Sequence, residues 1–144
     1  MRTLSLALAA ATLLACSSRA SLVVEESSPL VGPDGKTSEA LGIASPYGEF
    51  IELIPQGAQV PCSKVQSFTT AHRDPKRIAF ALFRGTATDT RDSHDLGQYW
   101  ALKPEHAGRL TPVEVTFTIG ADRKISLSER DPQTGKDVKL TRAP

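Results

Sequence analysis

The residues that could do chemistry in this 144-residue chain are few and widely spaced. Its three histidines, His72, His94 and His106, stand apart from one another, and none has a second His or Cys at a metal-ligand interval. Asp89, Asp92 and Asp95 cluster in sequence, but without the glycine and terminal Glu of a calcium loop they read as a solvated turn. Gly32-Pro33-Asp34-Gly35 reads as a turn, not a phosphate-binding loop, and no Gly-x-Ser-x-Gly elbow is present. Tyr99 and Trp100 read as packing aromatics of a strand. The two cysteines, Cys16 and Cys62, do not read as a disulfide framework, because Cys16 sits in a segment with a different purpose, and Cys62 reads as a small buried hydrophobe. Nothing in this set supports an enzyme, a metal site or a cofactor.

Cys16 has a more telling context. Met1-Arg2 gives a positive start, and Leu4 to Leu14 is a nearly unbroken apolar run. That run is shorter than the roughly 20 residues that span a bilayer and has the length of a signal-peptide core. It ends in Leu13-Leu14-Ala15-Cys16, which resembles the lipobox of bacterial lipoproteins. The resemblance implies a signal peptide over residues 1–15. It also implies a diacylglyceryl thioether on Cys16, with fatty acyl chains such as palmitate holding the protein to a membrane. Because Ser17 rather than Asp follows, it further implies the cell envelope, on the outer membrane facing the periplasm.

The elements around these residues are short. Hydrophobic residues make up 40% and charged residues 23%, with ten Gly, ten Pro and a net charge of +1. Such a balance leaves no electrostatic footprint for nucleic acid. Residues 16–37 are rich in turn formers and small polar groups and read as a lipidated flexible tether, with Leu22 to Val24 able to add an edge strand. From 38 to 144 the pattern becomes apolar alternation broken by turns. Val113, Val115, Phe117 and Ile119 alternate with Glu114, Thr116 and Thr118, and Ile78, Phe80 and Leu82 do the same. About eight short strands of this kind predict an all-β antiparallel sandwich.

Lys64-Val65-Gln66-Ser67-Phe68-Thr69-Thr70-Ala71 resembles the peptide-binding β-sandwich of Hsp70 chaperones. The likeness continues in order through Leu41-Gly42-Ile43, Leu53-Ile54-Pro55, Phe83-Arg84-Gly85, Leu96-Gly97-Gln98-Tyr99, Pro112 to Ile119 and Thr134-Gly135-Lys136. It implies loops that close over an extended peptide and a pocket for an aliphatic side chain. The residues it assigns to peptide binding are Leu41, Ile43, Tyr47, Phe68, Ala71, Ile78, Phe80 and Val113.

Two departures shape the expected function. The family's ATPase domain and helical lid have no counterpart in these residues, so binding is expected to be passive, without nucleotide. In addition, the arch that usually carries glycines reads Pro46-Tyr47-Gly48, and Pro46 offers no N–H to a peptide. The leading expectation is a membrane-anchored lipoprotein that holds extended hydrophobic segments of exported proteins. The alternative is a non-catalytic envelope module that keeps the sandwich, has lost peptide binding and serves an envelope protein through another face. A groove filled by Tyr47 and its neighbours would favour the alternative.

Overall fold

Strict alternation sets the architecture. In the computed structural model, which describes residues 20–69, 76–86, 88–104 and 112–144, strand β7 (Val113–Ile119) buries Val113, Val115, Phe117 and Ile119. Its intervening polar residues face the other way, as a period of two requires. β7 pairs with β4 (Cys62–Phe68) on one side and β8 (Ile125–Arg130) on the other. The two-residue strands β1 (Leu22–Val23) and β9 (Asp137–Val138) share the far edge of β8. The second sheet runs β10 (Leu140–Arg142), β6 (His94–Leu102), β5 (Arg77–Gly85), β2 (Ala40–Ala44), β3 (Phe50–Ile54). All named pairings are antiparallel, so the all-β sandwich read from the sequence is the fold.

The two sheets bury one apolar cluster between them. Leu41, Leu82, Tyr99 and Ala101 of one sheet meet Val115, Phe117, Ile119, Ile125 and Leu127 of the other. Phe80 stands edge-on to Phe117 at 5.7 Å and stacks on Tyr99 at 5.8 Å. Tyr99 is itself enclosed, and its hydroxyl donates to the Leu96 carbonyl at 2.8 Å, which removes the cost of burying the phenol. Gly42 permits a close approach inside β2, since a Cβ there would stand 2.4 Å from the Ile51 carbonyl oxygen.

The described part of the expected tether, residues 20–37, is integrated into the domain, and this corrects the boundary. β1 pairs with β8, and Val24, Leu30 and Val31 are buried in the core. Thr37 is buried too, its hydroxyl donating to Pro55 O and accepting from Ala58 N–H. Arg84 grips the segment from the second sheet through Glu26 Oε1 at 3.2 Å, Ser28 O at 2.6 Å and Pro29 O at 3.4 Å. It also bonds Glu39 Oε2 at 2.6 Å. Turn formers steer a backbone but do not keep its aliphatic side chains from a core worth ~1.5–3 kcal/mol each. The packed domain therefore reaches back to about residue 20 rather than 38.

Candidate functional site

Where β2 leaves the second sheet, a cavity of about 760 Å³ opens between the sheets. Its floor is apolar. Phe68 from β4 and Phe80 from β5 stack across the gap at 5.2 Å, with Ile43 and Ile78 beside them. Four of the eight residues assigned by resemblance are thus brought together. Phe68 is half-buried, whereas Ile43, Ile78 and Phe80 are each less than a tenth exposed and belong equally to the core.

The other four fall elsewhere. Val113 is the register partner of Phe68 and is buried, so it supports the wall without lining it. Leu41 is fully enclosed between the sheets and presents no surface to a ligand, which corrects its assignment. It sits two residues from Ile43 on the same strand face, where the sandwich has already closed. Tyr47 is 91% exposed and does not line the cavity, although its arch neighbours Ser45 and Pro46 do, so the one bulky arch side chain leaves it unfilled. Ala71 lies outside the described residues, as do Cys16, His72 and His106.

The rim adds residues that the resemblance does not assign. Ile51, Gln66, Thr69, Ala79, Ala81 and Trp100 line it together with Ala44, Ser45 and Pro46 at the end of β2, and Arg77 places its guanidinium 3.9 Å from the Trp100 ring centroid. The β5–β6 register pairs Ala79 with Trp100, so both stand on one sheet face beside the cavity mouth. Strand alternation at Ala79, Ala81 and Trp100 marked that face, but only the pairing shows that it borders an opening.

An uncovered strand edge runs along the cavity. β2 pairs with β5 from Gly85 back to Leu82, opposite Ile43, and no strand continues on that side among the described residues. The Lys103 N–H donates to the Lys76 carbonyl, which sets the phase of the β5–β6 ladder. Residues 78 and 80 turn their main-chain groups toward β6, and Ala79 and Ala81 turn theirs toward the uncovered side. An extended polypeptide laid there meets donors and acceptors in strand spacing.

The arch over this edge is built without its own glycine pair. Ser45 Oγ accepts from the Tyr47 and Glu49 N–H groups, and Gly48, at φ 84°, turns the chain. The Gly48 carbonyl then accepts from both the N–H and the hydroxyl of Thr90, and Phe50 N–H donates to Thr88 O. The arch is therefore strapped to the 88–90 loop rather than standing alone.

A few other titratable groups have a defined setting. Asp89 caps the short 3-10 turn Thr90–Asp92 and chelates Arg91, whose hydrogen bonds hold its carboxyl down at about 2. Asp95 accepts from Gly97 N–H. Burial pushes the half-buried Cys62 thiol up, which lowers its thiolate fraction and nucleophilicity. Glu129 occupies an inward position of β8, and burial, only partly offset by the Leu102 backbone N–H, pushes its pKa up to about 8.

Over residues 33–144 the sequence matches the Hsp70 protein family, a span that takes in β2 to β10, the arch and every described residue of the cavity. That match covers more than three quarters of the sequence, and the chain belongs to the Hsp70 family.

Proposed function

We propose that the protein is a membrane-anchored, passive holder of extended hydrophobic polypeptide segments. The observation that carries this reading is the open cavity: Phe68, Phe80, Ile43 and Ile78 form an apolar floor beside a β5 edge that no strand covers among the described residues, and the exposed Tyr47 does not line it. Apolar floor and strand edge together suit a ligand with an aliphatic side chain and an extended backbone. Burying one Leu contributes ~1.5–3 kcal/mol and each main-chain bond ~0.5–1.5 kcal/mol. Binding of micromolar strength or weaker, on the order of −5 to −8 kcal/mol, follows. The reading includes no nucleotide and no energy-driven cycle.

The anchor rests on Leu13-Leu14-Ala15-Cys16. Two or three acyl chains, at ~0.8 kcal/mol per buried CH₂, suffice for stable attachment. Fluorescence-anisotropy titration of residues 20–144 with a labelled Leu-rich heptapeptide and a charge-scrambled control tests the binding half. Saturable, selective binding is expected; none up to millimolar concentration, from a folded domain, overturns it in favour of a scaffold acting through another face. For the anchor, Cys16→Ala should leave an unlipidated precursor by mass, and normal maturation of that variant overturns the lipoprotein reading.

A further inference from the structure

The place where the N-terminal segment joins the domain fixes more than the fold. Ala20 N–H donates to Asp137 Oδ2, and β1 continues from there along β8. Asp137 pairs with Arg130, Arg130 with Glu114, and Glu114 with Ser67. This row crosses four strands at one level of the sheet, about 14 Å from end to end at ~4.8 Å per step. Its last member precedes Phe68, the cavity wall. The N-terminal segment thus enters the sandwich at the same end as the cavity. The opposite end, at the β7–β8 turn carrying Ala121, lies about 20 Å further along the strands, since six residues at ~3.3 Å each separate Phe68 from Cys62, whose partner Ile119 leads into that turn.

Only residues 17, 18 and 19 stand between Cys16 and Ala20. Four fully extended steps span at most about 14 Å. We infer that the anchored protein sits on the bilayer with its cavity-bearing end toward the lipid, so that the cavity receives polypeptide lying close to the membrane surface. This rests on the lipid-anchor reading above. The mouth is then within roughly 30 Å of the anchored residue, a distance covered by about nine extended residues. Segments of that length leaving a bilayer can reach the cavity while their membrane part stays inserted. A domain on a 20-residue leash would have no such bias, because a flexible spacer of that size adds about 25 Å of reach.

The single tryptophan, Trp100, lies at the cavity and serves as the donor for the test. Full-length protein is matured in cells, its acyl mass is confirmed, and it is reconstituted into liposomes bearing a dansyl-headgroup lipid. Energy transfer from Trp100 is compared with transfer from Ala121→Trp in a Trp100→Phe background. Each form is also made with twenty Gly/Ser residues inserted between Arg19 and Ala20. The expected result is at least twofold stronger transfer from Trp100 than from position 121, with that difference lost on insertion of the spacer. Equal transfer from both positions, or no change on insertion, in protein whose acyl mass is verified, overturns the orientation while leaving the anchor intact. Absence of the acyl mass from the unmodified chain overturns the anchor and the orientation together.

Discussion

The ring of Phe80 lies on that of Phe68, 5.2 Å between centroids and 14° from parallel, so that one residue from each sheet closes the cavity floor. Their roles differ because their surroundings do. Phe80 also touches Tyr99 and Phe117 inside the core, whereas Phe68 ends an edge strand and is half-buried.

Phe68→Ala should weaken binding of a Leu-rich peptide about tenfold or more, the loss of a ~1.5–3 kcal/mol apolar contact, with a small change in stability. Phe80→Ala should instead cost ~3–5 kcal/mol of folding free energy. Peptide titration and urea unfolding of both variants separate the two effects. Unchanged affinity in Phe68→Ala would remove the floor from the binding site.

Tyr47→Ala should leave both affinity and stability within about twofold and ~0.5 kcal/mol, because the side chain is 91% exposed and outside the cavity. A tenfold change in peptide binding, read by the same titration, would mean that the tyrosine folds over the ligand.

Arg84→Met should destabilise the domain by ~3–5 kcal/mol, since it leaves the Glu26 and Glu39 carboxylates without their shared guanidinium and releases the carbonyls of Ser28 and Pro29. Replacing Arg84, Glu26 and Glu39 together by apolar residues should recover much of that loss. Denaturant melts of the single and triple variants decide it.

Glu129 predicts a pH dependence with a definite sign. Its carboxyl is held protonated in the folded domain up to about 8, against an ordinary value of 4.5. Below 4.5 both folded and unfolded chains hold the proton and no penalty exists. Between 4.5 and about 8 only the unfolded chain releases it, so stability falls as pH rises through this window. The total is on the order of several kcal/mol. Glu129→Gln should flatten the slope, seen as a Tm at pH 8 that rises toward its value at pH 5; a slope unchanged in that variant would place its origin elsewhere.

A fragment beginning at residue 38 should be less stable than one beginning at 20, by several kcal/mol, because it lacks Val24, Leu30, Val31 and the partner of the β8 edge. Thermal melts of the two fragments give the comparison, and equal midpoints would show that the segment is dispensable.

The strands were legible wherever apolar and polar residues alternate, as in β7 and β5, because one face of each packs against the other sheet. Leu30 and Val31 were not, since they sit among turn formers with no period to reveal which way they point. The four cavity residues Ile43, Phe68, Ile78 and Phe80 were reached by resemblance, and periodicity alone would have left all of them in the core. Leu41 was misassigned because strand alternation gives a residue's face but not the depth at which two sheets close. Glu129 contradicts the alternation outright: it follows Ile125 and Leu127 on the inward face, where a strand pattern predicts an apolar residue.

The strap between the arch and the 88–90 loop bears on timing. For a guest to enter or leave sideways, the arch must lift, and lifting it breaks the two bonds from Thr90 to the Gly48 carbonyl or drags the loop along. Two such bonds are worth roughly 1–3 kcal/mol, which slows the swing by about 5- to 150-fold. For a guest held as proposed, a latch of that size lengthens the dwell and delays the capture in equal measure, leaving affinity untouched while changing the exchange rate.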